Sequence, residues 1–413
     1  MRGGGSLLPL AATVEPTTQD ELVGHLRGAY ESATPVYAIG GGTSLGYGLP
    51  AKEKGLGLRL AALNRVVDYP SRDMTVTVEA GITMAALAAE LARHGQRLPV
   101  DAAQAEQATL GGMIATNFSG PRRFGWGTLR DYVIGISAVD GRGTPFKAGG
   151  RVVKNVAGYD LCKLLTGSLG TLAVITQATL KVRPVPEATA FAGCTARTWD
   201  EAESLLSSLV GSRTTPAAIE LLRGPHWQPN AMLAAPVAAA GRLLVGFEGS
   251  KSEINWQIEQ LAREWREQGV AVDTEREEAA GATWRQLTAL AASDAPLVVK
   301  VNVRPGALTS ILSLLAEIDP QASVQSHAGN GIAVAAFSQF SPQDASRVLI
   351  QQLQPAAVAA EGNVVVWSCP TDELTRQATW GAAPADAALM RSVRDQFDPK
   401  RLLNRGRFLY GGL

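Results

Sequence analysis

The sequence predicts an α+β chain of two or three packed domains, and three observations carry that prediction. At 413 residues the chain is too long for one ordinary hydrophobic core. Its composition changes near Arg183–Pro186: Gly-rich loops dominate before that point, and regular helix and strand patterns follow it. The second part also repeats itself, each copy reading βαββαβ.

In the first part, 36–39 reads as a short buried strand running into Gly40-Gly41-Gly42. Residues 74–79 alternate in strand fashion. Residues 83–94 place Met84, Leu87, Ala88 and Leu91 on one helical face, closed by Gly95. Residues 132–139 form a strand ending at Asp140-Gly141, a hairpin signal, and 171–182 a strand or strand pair. The first repeat reads strand 189–194, helix 199–210, strands 216–223 and 242–248, helix 252–268 and strand 270–274. Ile254, Ile258, Leu261 and Trp265 make one stripe of its long helix, with Ser252 at the cap. The second reads strand 297–303, helix 306–318, strands 321–327 and 331–337, helix 342–352 and strand 363–367. This is the ferredoxin-like order, with two helices on one face of an antiparallel sheet. A helical pattern and a polar, Gly-containing end close the chain at 387–403.

Composition excludes several classes. Lys plus Arg and Asp plus Glu balance at 38 each, against the basic excess that nucleic acid or an anionic membrane surface demands. No apolar run reaches the roughly 18 residues needed to cross a bilayer, so no direct membrane insertion is expected. The segment Ser6–Ala12 is too short, and too poor in preceding charge, for a secretory signal. Cys162, Cys194 and Cys369 are odd in number and form no CxxC pair; four histidines leave little for a metal centre, and none is expected. The expectation is a cytoplasmic protein, with any membrane association through partners.

Three Gly-rich elements carry chemistry. Gly40-Gly41-Gly42-Thr43-Ser44-Leu45-Gly46 follows a buried strand, and its small residues let consecutive main-chain N–H groups face one phosphate. It is no P-loop, lacking GxxxxGK[ST]. It is no Rossmann turn either, since Tyr47-Gly48-Leu49-Pro50 blocks the helix such a turn opens. Taken alone it is equally a tight turn. The run Thr109–Thr128 reads as a loop in which Gly111 and Gly112 admit a ring or phosphate. Thr109, Thr116 and Ser119 offer hydroxyls there, and Arg122 or Arg123 can balance diphosphate charge. In Gly167–Ile175, Gly170 precedes a strand whose main chain could bond an adenine edge.

In this order the elements resemble the FAD-binding domain of the vanillyl-alcohol oxidase/PCMH superfamily, and are similar to the FAD-binding E subunits (GlcE type) of glycolate oxidases. The carrying strings are Gly111-Gly112 with Ser119-Gly120-Pro121-Arg122-Arg123, then Lys154-Asn155-Val156-Ala157-Gly158-Tyr159-Asp160, Gly167–Ile175, and the closing Phe397-Asp398-Pro399-Lys400-Arg401-Leu402-Leu403-Asn404. The resemblance implies a PCMH-type FAD-binding domain of two α+β subdomains over 1–184. A ferredoxin-like duplicated α+β cap would span 185–385, and 386–413 would return to the FAD domain. It implies that Gly40–Gly46 hold the diphosphate. Thr109, Gly111, Gly112, Thr116, Ser119, Gly120 and Arg122 would line the flavin and ribityl side, and Gly170, Val174 and Ile175 the adenine end. Residues 36–60 contain no His or Cys, so the FAD is expected to be non-covalent. The implied partners are a second flavin subunit and an iron–sulfur subunit, the implied reaction glycolate to glyoxylate.

Two departures matter. Asn404-Arg405-Gly406 stands where the family closes on Asn-Pro-Gly. The His and carboxylate strings of related hydroxy-acid dehydrogenases are reduced to Ser326-His327-Ala328-Gly329-Asn330-Gly331. Oxidising a 2-hydroxy acid needs a base and a cation for the carboxylate. His327 is the candidate base and Arg304 the candidate clamp, each also readable as a structural histidine and a surface ion pair. Three functions remain open: a glycolate oxidase flavin subunit, a stand-alone FAD-dependent 2-hydroxy-acid dehydrogenase, or a non-catalytic flavin-carrying assembly or electron-relay subunit.

Overall fold

The computed structural model describes residues 8–150, 158–369, 371 and 373–408; residues 154–157 of the most specific string lie outside them. The chain forms two compact units. The first comprises Met1–Ser119, Gly127–Val185 and Ala382–Leu413; the second comprises Gly120–Trp126 and Pro186–Gly381.

Among the described residues the first unit contains two main sheets and one short two-stranded sheet. Strands β1 (Leu10–Val14), β2 (Val36–Ile39) and β3 (Gly55–Arg59) are parallel in the order β1-β3-β2. The helix Gln19–Glu31 makes the crossover that parallel pairing requires and buries Leu22, Val23, Leu26 and Ala29. Strands β4 (Val66–Asp68), β5 (Thr75–Glu79), β7 (Val133–Asp140), β8 (Pro145–Gly149) and β9 (Ala173–Lys181) form an antiparallel sheet, β4-β5-β9-β7-β8. Short β6 (Gln96–Arg97) and β10 (Arg183–Pro184) pair separately. The 171–182 pattern is thus one strand, bulged against β7 near Ser137. The Asp140 hairpin forms as the sequence predicts, its carboxylate accepting from the N–H of Arg142 and of Thr144. Beyond the helix Ala387–Phe397, the tail joins the parallel sheet. The Val36 N–H donates to Leu402 O at 2.9 Å, and the Asn404 N–H to Val36 O at 2.8 Å.

In the second unit, β11 (Ala188–Ala196), β12 (Ala218–Arg223), β13 (Gly241–Gly249), β14 (Asp273–Arg276), β15 (Leu297–Asn302), β16 (Ser323–His327), β17 (Ile332–Phe337) and β18 (Asn363–Ser368) build one antiparallel sheet. Its order, β14-β11-β13-β12-β16-β17-β15-β18, is two ferredoxin-like sheets joined edge to edge through β12 and β16. Side chains alternate across it. Ala192, Cys194, Val245, Phe247, Val299 and Val301 pack with the helices Trp199–Val210, Lys251–Glu267 and Leu308–Ile318. The opposite face meets Trp227 and the helix Glu277–Gln286 through Phe191, Leu244, Val298 and Val334.

Several sequence expectations need correction. Thr109–Thr128 is not all loop: Leu110–Thr116 is helical despite two glycines, because Thr109 caps it and Gly111 lies against the Ala80 backbone, where a Cβ would come within 3.0 Å of the carbonyl oxygen. Ser250, not Ser252, caps the long helix. Ala88 is exposed, leaving Met84, Leu87 and Leu91 as the buried face. The helix expected over 342–352 begins as a π-helix, Ser346–Leu353, and runs on without a break as Gln354–Ala359; Pro355, which has no N–H to give to the preceding turn, lies just after the change from wide to ordinary turns. The helix Glu277–Gln286 has no counterpart in the predicted repeat.

Candidate functional site

The Gly-rich strings of the first unit converge on one cleft. Its lining includes Gly40, Gly41, Gly42, Thr43, Ser44, Thr109, Gly111, Gly112, Thr116, Gly170, Val174 and Ile175, together with Asn404, Arg407 and Phe408. Gly46, Ser119, Gly120 and Arg122 are not in the lining. The glycines act in two ways. A Cβ on Gly41 would lie 1.6 Å from Gln107 O, and one on Gly40 2.2 Å from Thr109 Oγ1, so these two let the 40–46 loop press against 107–109. Gly42 instead has φ of +77°, a left-handed conformation that aims the following amides inward. The N–H groups of Gly41, Gly42, Thr43 and Ser44 donate to no acceptor among the described residues. Four consecutive unused donors in a concavity suit a diphosphate.

Two of the lining hydroxyls also bond to the helix 110–116. Thr109 Oγ1 accepts from the Gly112 N–H at 3.3 Å, and Thr116 Oγ1 donates to Gly112 O at 2.9 Å, so both serve the helix. Arg122 belongs to the second unit and pairs at 2.8 Å with buried Glu248, which also accepts from Trp126 Nε1 at 2.8 Å; its guanidinium stacks on Trp284. Arg122 does not line the cleft; Arg407, which the sequence did not flag, does. Arg407 is buried and donates to the carbonyls of Leu45, Tyr47 and Leu49, tying down the far side of the Gly loop. Burial lowers its pKa to about 10, leaving it charged at neutral pH. Asn404 Nδ2 donates to Leu169 O at 2.9 Å, and Arg405 pairs with Glu53 at 3.0 Å.

The second unit carries a different kind of site on the sheet face opposite its main helices. His327, at the end of β16, is buried, and its Nδ1 lies 2.8 Å from Glu220 Oε1 on β12, itself 0% exposed. Gln325 Nε2 donates to Glu220 Oε2 at 2.7 Å, fixing the carboxylate. Glu220 therefore holds Nδ1 and fixes the imidazole plane, while Nε2 is not engaged by it. Lys300 on β15 emerges on the same face, since His327 pairs with Ile332 and Lys300 with Val334. Two strand spacings and a two-residue offset put their Cα atoms about 12 Å apart. Burial, and then the nearby Arg123 charge, lower the Lys300 pKa to about 8, and its ammonium stacks on Trp367. Phe124 packs on the turn after His327, where a Cβ on Gly329 would lie 2.3 Å from its ring. Arg304 is elsewhere: its side chain is 60% exposed and pairs with Glu361 at 3.4 Å, the surface ion pair that the sequence also allowed.

Residues 9–149 match the FAD binding domain family, and residues 185–360 with 376–408 match the C-terminal domain of FAD linked oxidases. The chain belongs to the FAD-linked oxidases, and FAD is its cofactor. It is 30% identical to glycolate oxidase subunit GlcD of Bacillus subtilis over 60% of this chain and 54% of that one. It is 37% identical to subunit GlcE of Escherichia coli over 39% of this chain and 45% of that one. These matches thus span about half the relatives' length. A D-lactate dehydrogenase of Anaerostipes hadrus is 26% identical over 96% of this chain and 89% of that one. The solved alkyldihydroxyacetonephosphate synthase shares the fold, with a TM-score of 0.67 at 18% identity over 96% of this chain and 76% of that one. No described helix is long and apolar enough to cross a membrane. No cluster of metal-ligating side chains occurs among the described residues.

Proposed function

We propose that this chain oxidises a small 2-hydroxy acid with non-covalent FAD, as the flavin subunit of a glycolate oxidase type of complex that passes electrons to an iron–sulfur partner. The observation that carries the catalytic part is the buried Glu220–His327 pair on the same sheet face as Lys300. Bound FAD supplies the hydride acceptor. His327 Nε2 takes the hydroxyl proton while Glu220 holds Nδ1 and stabilises the imidazolium that results. Lys300 attracts the carboxylate in a half-enclosed setting where water screens it little. The Gly41–Ser44 amides and Arg407 would hold the diphosphate, and Val174 with Ile175 would flank the adenine. The cleft lining includes no His or Cys, which supports non-covalent attachment. Cys162, Cys194 and Cys369 belong to no cluster of metal-ligating side chains among the described residues, whereas an iron–sulfur cluster needs several cysteines gathered together. The relay is therefore assigned to another polypeptide.

The test is anaerobic addition of glycolate, then D-lactate, to the purified flavoprotein. Bleaching of the flavin, with sustained turnover only after partner subunits are added, supports the subunit reading. Because the chain brings its own base and cation, stand-alone dehydrogenation is the second reading, and rapid dye reduction without partners selects it. No bleaching by any small 2-hydroxy acid, with or without partners, removes both.

A further inference from the structure

We propose that the first unit carries a second ligand site, between the helix Ala387–Phe397 and the segment 164–172, that takes an amphipathic anion: a carboxylate or phosphate head on an alkyl or aryl body. A cavity of about 310 Å³ opens there, far above the ~10–15 Å³ that one water requires. Of the residues lining the flavin cleft, it shares only Phe408.

The head-group argument rests on Arg394. Among the described residues its guanidinium makes no hydrogen bond or ion pair, although it lines the cavity and its Nε is buried. Two carboxylates lie near it without a hydrogen bond to it: Asp395 pairs with Arg401 at 2.8 Å, and Asp398 accepts from the Leu403 N–H at 2.7 Å through Oδ2, its buried Oδ1 having no partner among the described residues. Ser168 Oγ, also buried, has no partner among the described residues, and Arg391 adds a second cation to the lining. A partly buried guanidinium with idle donors is costly unless an anion meets it, and its planar fork suits a two-oxygen head. The body argument rests on the remaining wall, where Leu164, Leu172, Leu389, Met390 and Val393 provide apolar surface. Leu389 is 66% exposed and Met390 36%, apolar area left on the surface unless something covers it.

Calorimetric titration of the flavin-loaded full chain with octanoate, acetate, 1-octanol and octyl phosphate tests this. Octanoate binds at one site, tightening about fourfold per added methylene. Acetate and octanol, each lacking one half of the chemistry, bind at least tenfold more weakly. Octyl phosphate outbinding octanoate assigns the head as a phosphate. Arg394→Gln weakens octanoate at least tenfold and Met390→Trp fills the cavity and abolishes binding, both with unchanged flavin content. Met390 is surface-exposed, so that variant keeps the test open should Arg394→Gln fail to fold. Octanoate that does not saturate, that binds both variants as tightly as wild type, or that competes with glycolate overturns the proposal.

Discussion

The two units solve recognition with opposite materials. The cleft of the first is made of main chain: Gly41–Ser44 present bare N–H groups, and the side chains there are small because the loops touch one another. The polar face of the second is made of side chains brought together across strands, with Glu220 meeting His327 107 residues away in sequence. A backbone site is specified by what is missing, the Cβ atoms, and tolerates little change at a few positions. A side-chain site is specified by which residues a sheet register places opposite each other, and can be altered while the main-chain cleft is left as it is.

That contrast can be broken at either end. The largest effect falls on chemistry alone: His327→Ala lowers the rate of substrate-driven flavin reduction by roughly 10²–10⁴-fold, the usual worth of a general base, with flavin content unchanged. Glu220→Gln retains the shape but loses the carboxylate, and is expected to lower the same rate by a smaller factor. In the first unit the effect falls on the cofactor. Gly41→Ala forces a Cβ toward Gln107 O, costs ~1–3 kcal/mol of overpacking and lowers the flavin-to-protein ratio of the purified chain. Lys300→Met raises KM about 10–100-fold with a smaller change in kcat. In the wild type KM rises with pH above about 8, because the ammonium that attracts the carboxylate is the form present below its pKa. A KM flat from pH 7 to 9.5 removes Lys300 from substrate binding. The smallest effect is Thr109→Ala, a lost helix cap worth ~1 kcal/mol, read as a modest drop in Tm with flavin retained.

The same contrast explains what could be read in advance. Glycine strings and hydrophobic periodicity are local, so the 40–46 loop, the hairpin at Asp140 and both βαββαβ copies were legible. The helix at Leu110 was not, because its stability comes from a cap and from packing on Ala80 that offsets two glycines. Glu220 left a signal, a lone carboxylate inside the apolar strand Ala218–Arg223, but nothing local names His327 as its partner. Lys300 likewise interrupts Leu297–Asn302 without declaring which face it takes. Arg407 lies beyond the closing motif, and only the fold carries it to the loop it holds.

Anaerobic spectra of the flavin-loaded wild type and of His327→Ala, before and after a small 2-hydroxy acid, test the central claim in one experiment. Both proteins should carry about one flavin per chain, and only the wild type should bleach promptly. A wild-type chain that folds yet refuses FAD, or a His327→Ala protein that bleaches at the wild-type rate, would contradict it.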